Sequence, residues 1–368
     1  MASYTYTQLY GSGSIGENIS GLKSFMFINP SDSSYFTMET IPSSSGFYEA
    51  TSPKNFSGSF TVPESMGLVT SPYIASVVVQ PGTSSIAFKP AYNTVSGSSY
   101  YMRGTGTFSV TTFTPANLFL SSEKGAWFDA NDLSTLFQDI AGTIPVTAVG
   151  QFVGKWLDKS GNAKHAVASA NDTTRPTYQI DNEGNPNVTF TRAATTQLIT
   201  PSIDFTGTAQ MTVCIGLNVL ESGSAGVALE LGTSVASVNG SFSIGAPSST
   251  ADHSINLRGI STVNARVANV VDGDDIITGL FDLSQATRAL QVIPRLNYVQ
   301  IPDAQITWTG TTAGGGNFSN LPLYIGAEGA SKTLPFGGKI YEIIVRGALS
   351  NATQVYQSET FIDFNLGE

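Results

Sequence analysis

Residues 125–178 read GAWFDANDLSTLFQDIAGTIPVTAVGQFVGKWLDKSGNAKHAVASANDTTRPTY, and this stretch decides the fold of the chain. Two apolar segments centred on tryptophan, residues 126–129 and 153–158, each end on an aspartate, and the polar turn 159–162 follows the second. An aspartate at the end of a strand can close the next turn by accepting hydrogen bonds from backbone amides. The pattern therefore predicts two short buried strands, each running into a turn.

The composition of the whole chain indicates an all-β protein. Only 12% of the 368 residues are charged, 37 are glycine, and the residues that favour helices are scarce. A chain of this length exceeds the usual size of one domain, so we expect two domains. The N-terminus has no basic region followed by an apolar run, so we expect no signal peptide, and no stretch approaches the roughly 20 apolar residues of a membrane span.

Residues 1–112 are predicted to form a small antiparallel β-sandwich. Alternating polar and apolar residues, separated by turns rich in Pro, Gly and Ser, are typical of half-buried strands. Such alternation predicts strands at 22–28, 57–62, 74–79 and 84–88. Residues 113–124 are predicted to be a linker, and residues 125–368 a second β domain. The single cysteine, Cys214, lies in an apolar run and is predicted to be a buried core residue rather than a nucleophile.

The order and identity of residues 125–178 resemble a segment of bacteriophage virion proteins that contain a concanavalin A-like, laminin-G-like (LamG-type) jelly roll. The matching residues are Trp127, Asp129, 132–139, 153–162, His165, Ala166 and 175–178. A second match, residues 336–350, resembles the last core strand of that fold and the lead into a short C-terminal helix. The resemblance implies that residues 125–368 form a jelly-roll sandwich. Ser350 is the predicted N-cap of a helix over 351–364.

The resemblance also implies a function. We expect a non-enzymatic structural protein of a phage virion, a head fibre or decoration protein, which docks to capsid or tail proteins through residues 1–112. It would display the jelly roll outward, and weak glycan binding is left open. Self-association as a dimer or trimer is expected by analogy with symmetric particles. The expected location is the virion, after synthesis in the host cytoplasm.

Two alternatives remain. One is a tail fibre, a receptor-binding protein that recognises host surface glycans, and the other is a glycan depolymerase. The structural role ranks first because the chain is short for a tail fibre and lacks coiled-coil heptads and β-helix repeats. Depolymerases need two carboxylates beside the scissile bond, and no alternating E-x-D-x-E run occurs. The two histidines, His165 and His253, have no neighbours that mark an activated nucleophile, so no catalytic site is expected.

Charge argues against a nucleic-acid partner. The formal net charge is −10 and no cluster of Lys and Arg occurs, whereas binding a polyanion requires a basic face. Protein partners, a second copy of the chain and cell-surface glycan remain the expected partners.

A metal site is one hypothesis for the turn after the second tryptophan. Asp158, Ser160 and Asn162 offer alternating oxygen ligands, for which Ca²⁺ is the candidate cofactor. The twelfth position from Asp158 is Ser169, so no EF-hand loop is completed. The favoured alternative is a turn in which the aspartate bonds to backbone amides.

Glycan contact is the second hypothesis for these residues. The candidate glycan-binding residues are Asp158, Asn162, His165 and Trp308. His165 is alternatively a structural partner of the same turn. Trp127 and Trp156 are expected to anchor the core, which leaves Trp308 as the better candidate for an exposed aromatic ring.

Overall fold

The computed structural model describes residues 113–120, 123–169, 174–247, 252–268 and 273–366 with their side chains, and the backbone of nine strands within residues 1–112. The chain divides into two compact units, Met1–Thr114 and Pro115–Glu368.

The first unit contains one antiparallel sheet. Its strands are β1 Ala2–Ser14, β2 Ser24–Ile28, β3 Tyr35–Glu39, β4 Tyr48–Thr51, β5 Ser57–Val62, β6 Tyr73–Val79, β7 Ser85–Lys89, β8 Ser99–Met102 and β9 Gly106–Val110. The long strand β1 pairs with β2, β8 and β9 along different parts of its length. From β2 the sheet continues through β3, β4, β7 and β6 to β5.

The second unit is a sandwich of two large antiparallel sheets. Its strands are β10 Gly125–Asp129, β11 Leu136–Phe137, β12 Lys155–Trp156, β13 Ala166–Ala168, β14 Thr177–Ile180, β15 Pro186–Phe190, β16 Leu198–Ile199, β17 Ile203–Asp204, β18 Gln210–Val219, β19 Val227–Leu231, β20 Ser241–Gly245, β21 Asp252–Arg258, β22 Thr262–Ala268, β23 Asp274–Asp282, β24 Val292–Leu296, β25 Val299–Gln300, β26 Ile306–Thr309, β27 Asn320–Leu321, β28 Leu323–Ile325 and β29 Gly338–Arg346.

The two sheets differ in strand order. The eight-stranded sheet runs β14-β15-β29-β18-β23-β24-β25, with β10 also paired to β29. The ten-stranded sheet runs β11-β12-β13-β16-β28-β19-β20-β21-β22-β26, and β17 pairs with β27 separately. The α-helices of this unit are α1 Arg288–Gln291 and α2 Ala352–Leu366. Short 3₁₀ helices span Pro115–Phe119, Leu133–Thr135 and Asp303–Gln305.

The core lies between the two sheets and is built from the apolar members of the alternating strands. Trp156 and Phe128 are fully buried there, with ring centroids 5.5 Å apart. Trp127 and Cys214 are buried on the opposite face of the eight-stranded sheet, beneath α2, and burial raises the pKa of the Cys214 thiol to about 12. The predictions of an all-β chain, a jelly-roll sandwich and a C-terminal helix are confirmed.

Helix α2 packs on the outer face of the eight-stranded sheet. Gly216 of β18 gives it room, because a Cβ at this position would lie 2.4 Å from Ile362 Cγ2. The predicted cap of this helix is wrong by one residue. The Oδ1 atom of Asn351 accepts the Gln354 backbone N–H at 2.9 Å, whereas Ser350 donates its N–H to Thr212 Oγ1.

The predicted linker, residues 113–124, is partly folded. Its 3₁₀ helix Pro115–Phe119 buries Leu118 and Phe119, and it belongs to the second unit. Among the described residues, none of the helices is long and apolar enough to cross a membrane.

Candidate functional site

A row of polar side chains crosses the face of the ten-stranded sheet that points away from the core. Strands β20, β21, β22 and β26 alternate, so that their apolar residues face the core and their polar residues face the other way. Strand pairing places Ser243 opposite Asn256, Asn256 opposite Asn264, and Asn264 opposite Thr309. Four polar residues from four adjacent strands therefore stand side by side.

We call these four residues the polar row. They form part of the lining of a cavity of about 510 Å³, the polar cavity. Ser254 and Arg266 extend the polar floor by one more row, since they are opposite each other on β21 and β22. The loops that carry Val235 and Leu334 border the same cavity. The volume lies within the range of about 300–1,000 Å³ that is typical of ligand pockets.

Hydrogen bonds between the floor residues fix their side chains. The amide nitrogen of Asn256 donates to Ser243 Oγ at 2.9 Å and to Ser254 Oγ at 3.2 Å. Each serine oxygen therefore already accepts one bond, and its own O–H proton can be donated to a ligand. The Asn256 Oδ1 and Asn264 Nδ2 atoms are accessible and bond to none of the residues that the structure describes. An accessible acceptor and an accessible donor thus lie on directly paired residues.

The charged groups around the cavity are hydrogen-bonded to protein partners. Arg266 donates to Asp252 Oδ2 at 2.5 Å. The carboxylate of Glu328 accepts from Ser234 Oγ at 2.9 Å and from Thr333 Oγ1 at 2.7 Å. A ligand in this cavity meets hydroxyls, amides and charged groups that are already hydrogen-bonded within the protein, which suits an uncharged molecule rich in hydroxyl groups.

One buried acid lies behind the border of the cavity. Glu230 is fully buried, and its two carboxylate oxygens accept the backbone N–H groups of Val235 and Gly329 at 2.7 and 3.2 Å. Burial is the main cause that raises the pKa of Glu230 to about 8, despite the two hydrogen bonds that favour the charged form. Glu230 holds the two bordering loops in place.

The predicted site around Asp158 is a structural turn. One oxygen of the Asp158 carboxylate accepts the backbone N–H groups of Trp127 and Ser160 at 2.9 and 2.8 Å, and the other accepts that of Lys164 at 2.8 Å. Ser160 Oγ in turn accepts from the Asn162 side-chain amide at 3.2 Å. Groups that already accept N–H bonds do not fit a Ca²⁺ site, which needs oxygens free to coordinate the ion.

No alternative metal cluster replaces it within the described ranges, where no group of three or more His, Cys, Asp or Glu side chains could hold an ion. The hydrogen bonds at Asp158 are those of the favoured alternative, a turn closed by the aspartate.

Asn162 and His165 lie in the same turn as Asp158. The Asn162 amide donates to the backbone carbonyls of Glu123 and Gly125 at 3.0 and 3.2 Å, which ties the turn to β10. His165 Nδ1 accepts the backbone N–H of Asp158 at 3.0 Å. The structure therefore brings Asp158, Ser160, Asn162 and His165 together, and the hydrogen bonds of all four stabilise the turn.

Trp308 lies apart from these residues. On β26 it is opposite Ala265, whose side chain is fully buried, so the half-buried indole packs against the core side of the sheet. Its Nε1 donates to Asp303 Oδ1 at 2.6 Å, and the Arg288 guanidinium lies 5.2 Å from the ring centroid. The indole is thus on the opposite side of the sheet from the polar row.

The polar row itself was missed by the sequence analysis. The signal was present in the alternation of SFSIG in β20 and SINLR in β21, where the polar members recur at every second residue. Alternation alone does not show which polar residues of different strands become neighbours.

Comparisons with known proteins give structural similarities only. A scan against protein-family models and a search of curated proteins find no match. The CBM40 domain of a Ruminococcus gnavus IT-sialidase bound to α2,3-sialyllactose is similar with TM-score 0.32 and 14% identity, over 41% of this chain and 83% of that chain. Domain 4 of a Geobacillus stearothermophilus GH43 arabinanase in complex with arabinotriose is similar with TM-score 0.41 and 12% identity, over 65% of this chain and 98% of that chain. A pentraxin from Limulus polyphemus is similar with TM-score 0.31 and 13% identity, over 40% of this chain and 69% of that chain.

Proposed function

We propose that this chain is a non-enzymatic display protein of a phage virion whose second unit binds glycan in the polar cavity of the ten-stranded sheet. The observation that carries the glycan-binding proposal is the row Ser243, Asn256, Asn264 and Thr309. A sugar presents several hydroxyl groups that each need a donor and an acceptor, and this row offers both from side chains on a rigid sheet.

Pre-organisation favours binding at this row. Asn256 is held by two serine hydroxyls, so little side-chain entropy is lost when a ligand binds to its free oxygen. The paired Asn256 acceptor and Asn264 donor match two neighbouring hydroxyls of one sugar ring. With Arg266 and Glu328 already paired to protein groups, the cavity suits a neutral glycan.

The virion role is supported by the resemblance of residues 125–178 and 336–350 to phage virion proteins. We propose a head fibre or decoration protein that docks through residues 1–112, with a tail fibre that recognises host glycans as the alternative. A depolymerase has less support, because Glu328 is the one acid among the described residues that line the cavity, and it is bonded to Ser234 and Thr333.

A glycan array of neutral oligosaccharides tests the binding site. We expect saturable binding by the full chain that weakens at least tenfold in Asn256→Ala and in Asn264→Ala. The matched control is Asn131→Ala, an exposed asparagine outside the cavity, which should bind like the wild type. If the Asn256 and Asn264 variants bind as well as the control, the polar row is not the glycan site.

Labelled antibody against the second unit, imaged on intact particles, tests the virion role. Label over the head supports the decoration protein, whereas label at the tail tip supports the receptor-binding alternative. Particles that carry no label would contradict both.

A further inference from the structure

A second cavity, of about 480 Å³, lies at the other end of the same sheet face. We call it the Lys155 cavity. Its lining includes Lys155, His165, Val167, Ser169, Ile199 and Pro201. Lys155, Val167 and Ile199 are paired across β12, β13 and β16.

The Lys155 cavity and the polar cavity share one cross-strand row but are separate. From Ile199 the row continues through Tyr324 and Glu230 to Ser243 of the polar cavity. Tyr324 is 6% exposed and Glu230 is fully buried, so the row is covered between the two cavities. Val167 and Ser243 are four strands apart, or about 19 Å at the usual spacing of neighbouring strands.

The tautomer of His165 provides a donor at the Lys155 cavity. Because His165 Nδ1 accepts the backbone N–H of Asp158 at 3.0 Å, the proton of the neutral ring is on Nε2. Nε2 bonds to none of the residues that the structure describes. Burial, and to a lesser extent the charge of Lys155, lowers the pKa of His165, so the ring is neutral and donates from Nε2 near pH 7.

Lys155 provides a positive charge with spare donors. Its ammonium group has three N–H donors and, among the residues that the structure describes, makes one long hydrogen bond, to the carbonyl of Ala141 at 3.4 Å. The apolar side chains of Val167, Ile199 and Pro201 form part of the wall of the cavity.

Acidic residues are absent from the described lining of the Lys155 cavity, although the chain carries a net charge of −10. The nearest acid to His165 in the turn, Asp158, is occupied by three backbone N–H groups. Lys155 and His165, two lining residues of a partly apolar cavity, each carry a donor group, one of them charged, and such a pair is suited to a carboxylate.

We propose that the Lys155 cavity binds the carboxylate of an acidic sugar, with Lys155 as the ion-pair partner and His165 Nε2–H as a second donor. The assignment of the carboxylate to a sugar rests on the proposed glycan-binding function. The assignment of the cavity as an anion site does not depend on that function. The chain thereby has two sites of different chemistry on one sheet face, one for neutral hydroxyl groups and one for an acid group.

The test is a titration of the full ¹⁵N-labelled chain, followed by the backbone amide signals of residues 163–169. The probes are glucuronate, glucose and inorganic phosphate. We expect glucuronate to shift these signals saturably and glucose to leave them unchanged. Lys155→Met, which removes the charge and keeps an unbranched side chain, should weaken glucuronate binding at least tenfold.

Two further variants separate binding from folding. His165→Asn keeps an acceptor near the Nδ1 position for the Asp158 N–H but lacks the Nε2 donor, so it should fold and bind glucuronate more weakly. The matched control is Lys164→Met: its ammonium group bonds to the Ser202 carbonyl at 2.7 Å and it is outside the described lining, so glucuronate binding should be unchanged.

Three results would overturn the proposal: equal shifts with glucose and glucuronate, equal losses in Lys155→Met and Lys164→Met, or no shifts. Binding of phosphate without glucuronate would also overturn it, since the anion would then not be a sugar acid. Glucuronate binding by a chain that binds no neutral oligosaccharide on the array would refute the polar cavity as a glycan site and leave this proposal standing.

Discussion

Replacing Trp156 with alanine tests the packing of the sandwich most directly. Trp156 is the largest of the fully buried side chains, lies on a strand of two residues and packs against Phe128. An indole buries about 200 Å², which at about 25 cal/mol per Å² corresponds to about 5 kcal/mol. The Nε1 bond to the Asp129 carbonyl, 3.3 Å long, adds about 0.5–1 kcal/mol, and partial collapse of the cavity recovers some of the loss.

We therefore expect Trp156→Ala to lower the free energy of unfolding of the second unit by about 3–5 kcal/mol. The assay is urea unfolding followed by tryptophan fluorescence, because all 3 tryptophans of the chain lie in the second unit and Trp127 and Trp308 remain in the variant. Trp308→Ala is the matched control. Its indole is only half-buried, so we expect a smaller loss. A loss below about 1 kcal/mol for Trp156→Ala would refute the placement of this residue at the centre of the core.

Three further predictions concern the turn, the helix and the buried acid. Asp158→Ala should cost about 2–3 kcal/mol in urea unfolding, since three backbone amides lose their acceptor, whereas Ca²⁺ or EDTA should not change the melting temperature of the wild type. Gly216→Ala should cost about 1–3 kcal/mol through the contact with Ile362, and a double-mutant cycle with Ile362→Ala should show that the two losses are not additive. The pKa of Glu230, raised from 4.5 to about 8, means that the folded state holds this proton more tightly, so its contribution to stability is complete below pH 4.5 and falls as pH rises to 8. Over this range the free energy of unfolding falls by up to about 1.4 kcal/mol per pH unit. An equal slope in Glu230→Gln would contradict the assignment of this pH dependence to Glu230.

Much of the fold follows from local patterns. The scarcity of charge and helix formers indicated an all-β chain, and the tryptophan segments predicted the buried strands around Trp127 and Trp156. Cys214 was correctly predicted to be buried because its whole neighbourhood is apolar. The turn at Asp158 was also visible as an alternative, since an aspartate followed by Ser, Gly and Asn favours bonds to nearby backbone amides.

The candidate sites were less predictable. Asp158 and Asn162 have ligand-type side chains, yet the folded chain uses them to bond backbone groups that are distant in sequence, such as the N–H of Trp127 and the carbonyl of Glu123. Trp308 illustrates the same limit in a strand. Its orientation depends on its pairing with Ala265, more than 40 residues earlier, and a shift of one residue would have placed the indole on the polar face.

The sequence by itself determined the all-β class and the buried tryptophans at 127 and 156, and it favoured the closed turn, because these depend on the periodicity and turn chemistry of neighbouring residues. Only the tertiary structure decided the sites. Ser243, Asn256, Asn264 and Thr309 become one row, and Lys155 comes to line a cavity with Ile199, through the register of paired strands, of which β26 and β16 are distant in sequence from their partners β22 and β13. Within a hairpin, register is set by the hydrophobic pattern and the turn, whereas for strands distant in sequence it is fixed only when both strands bury one face in the same core.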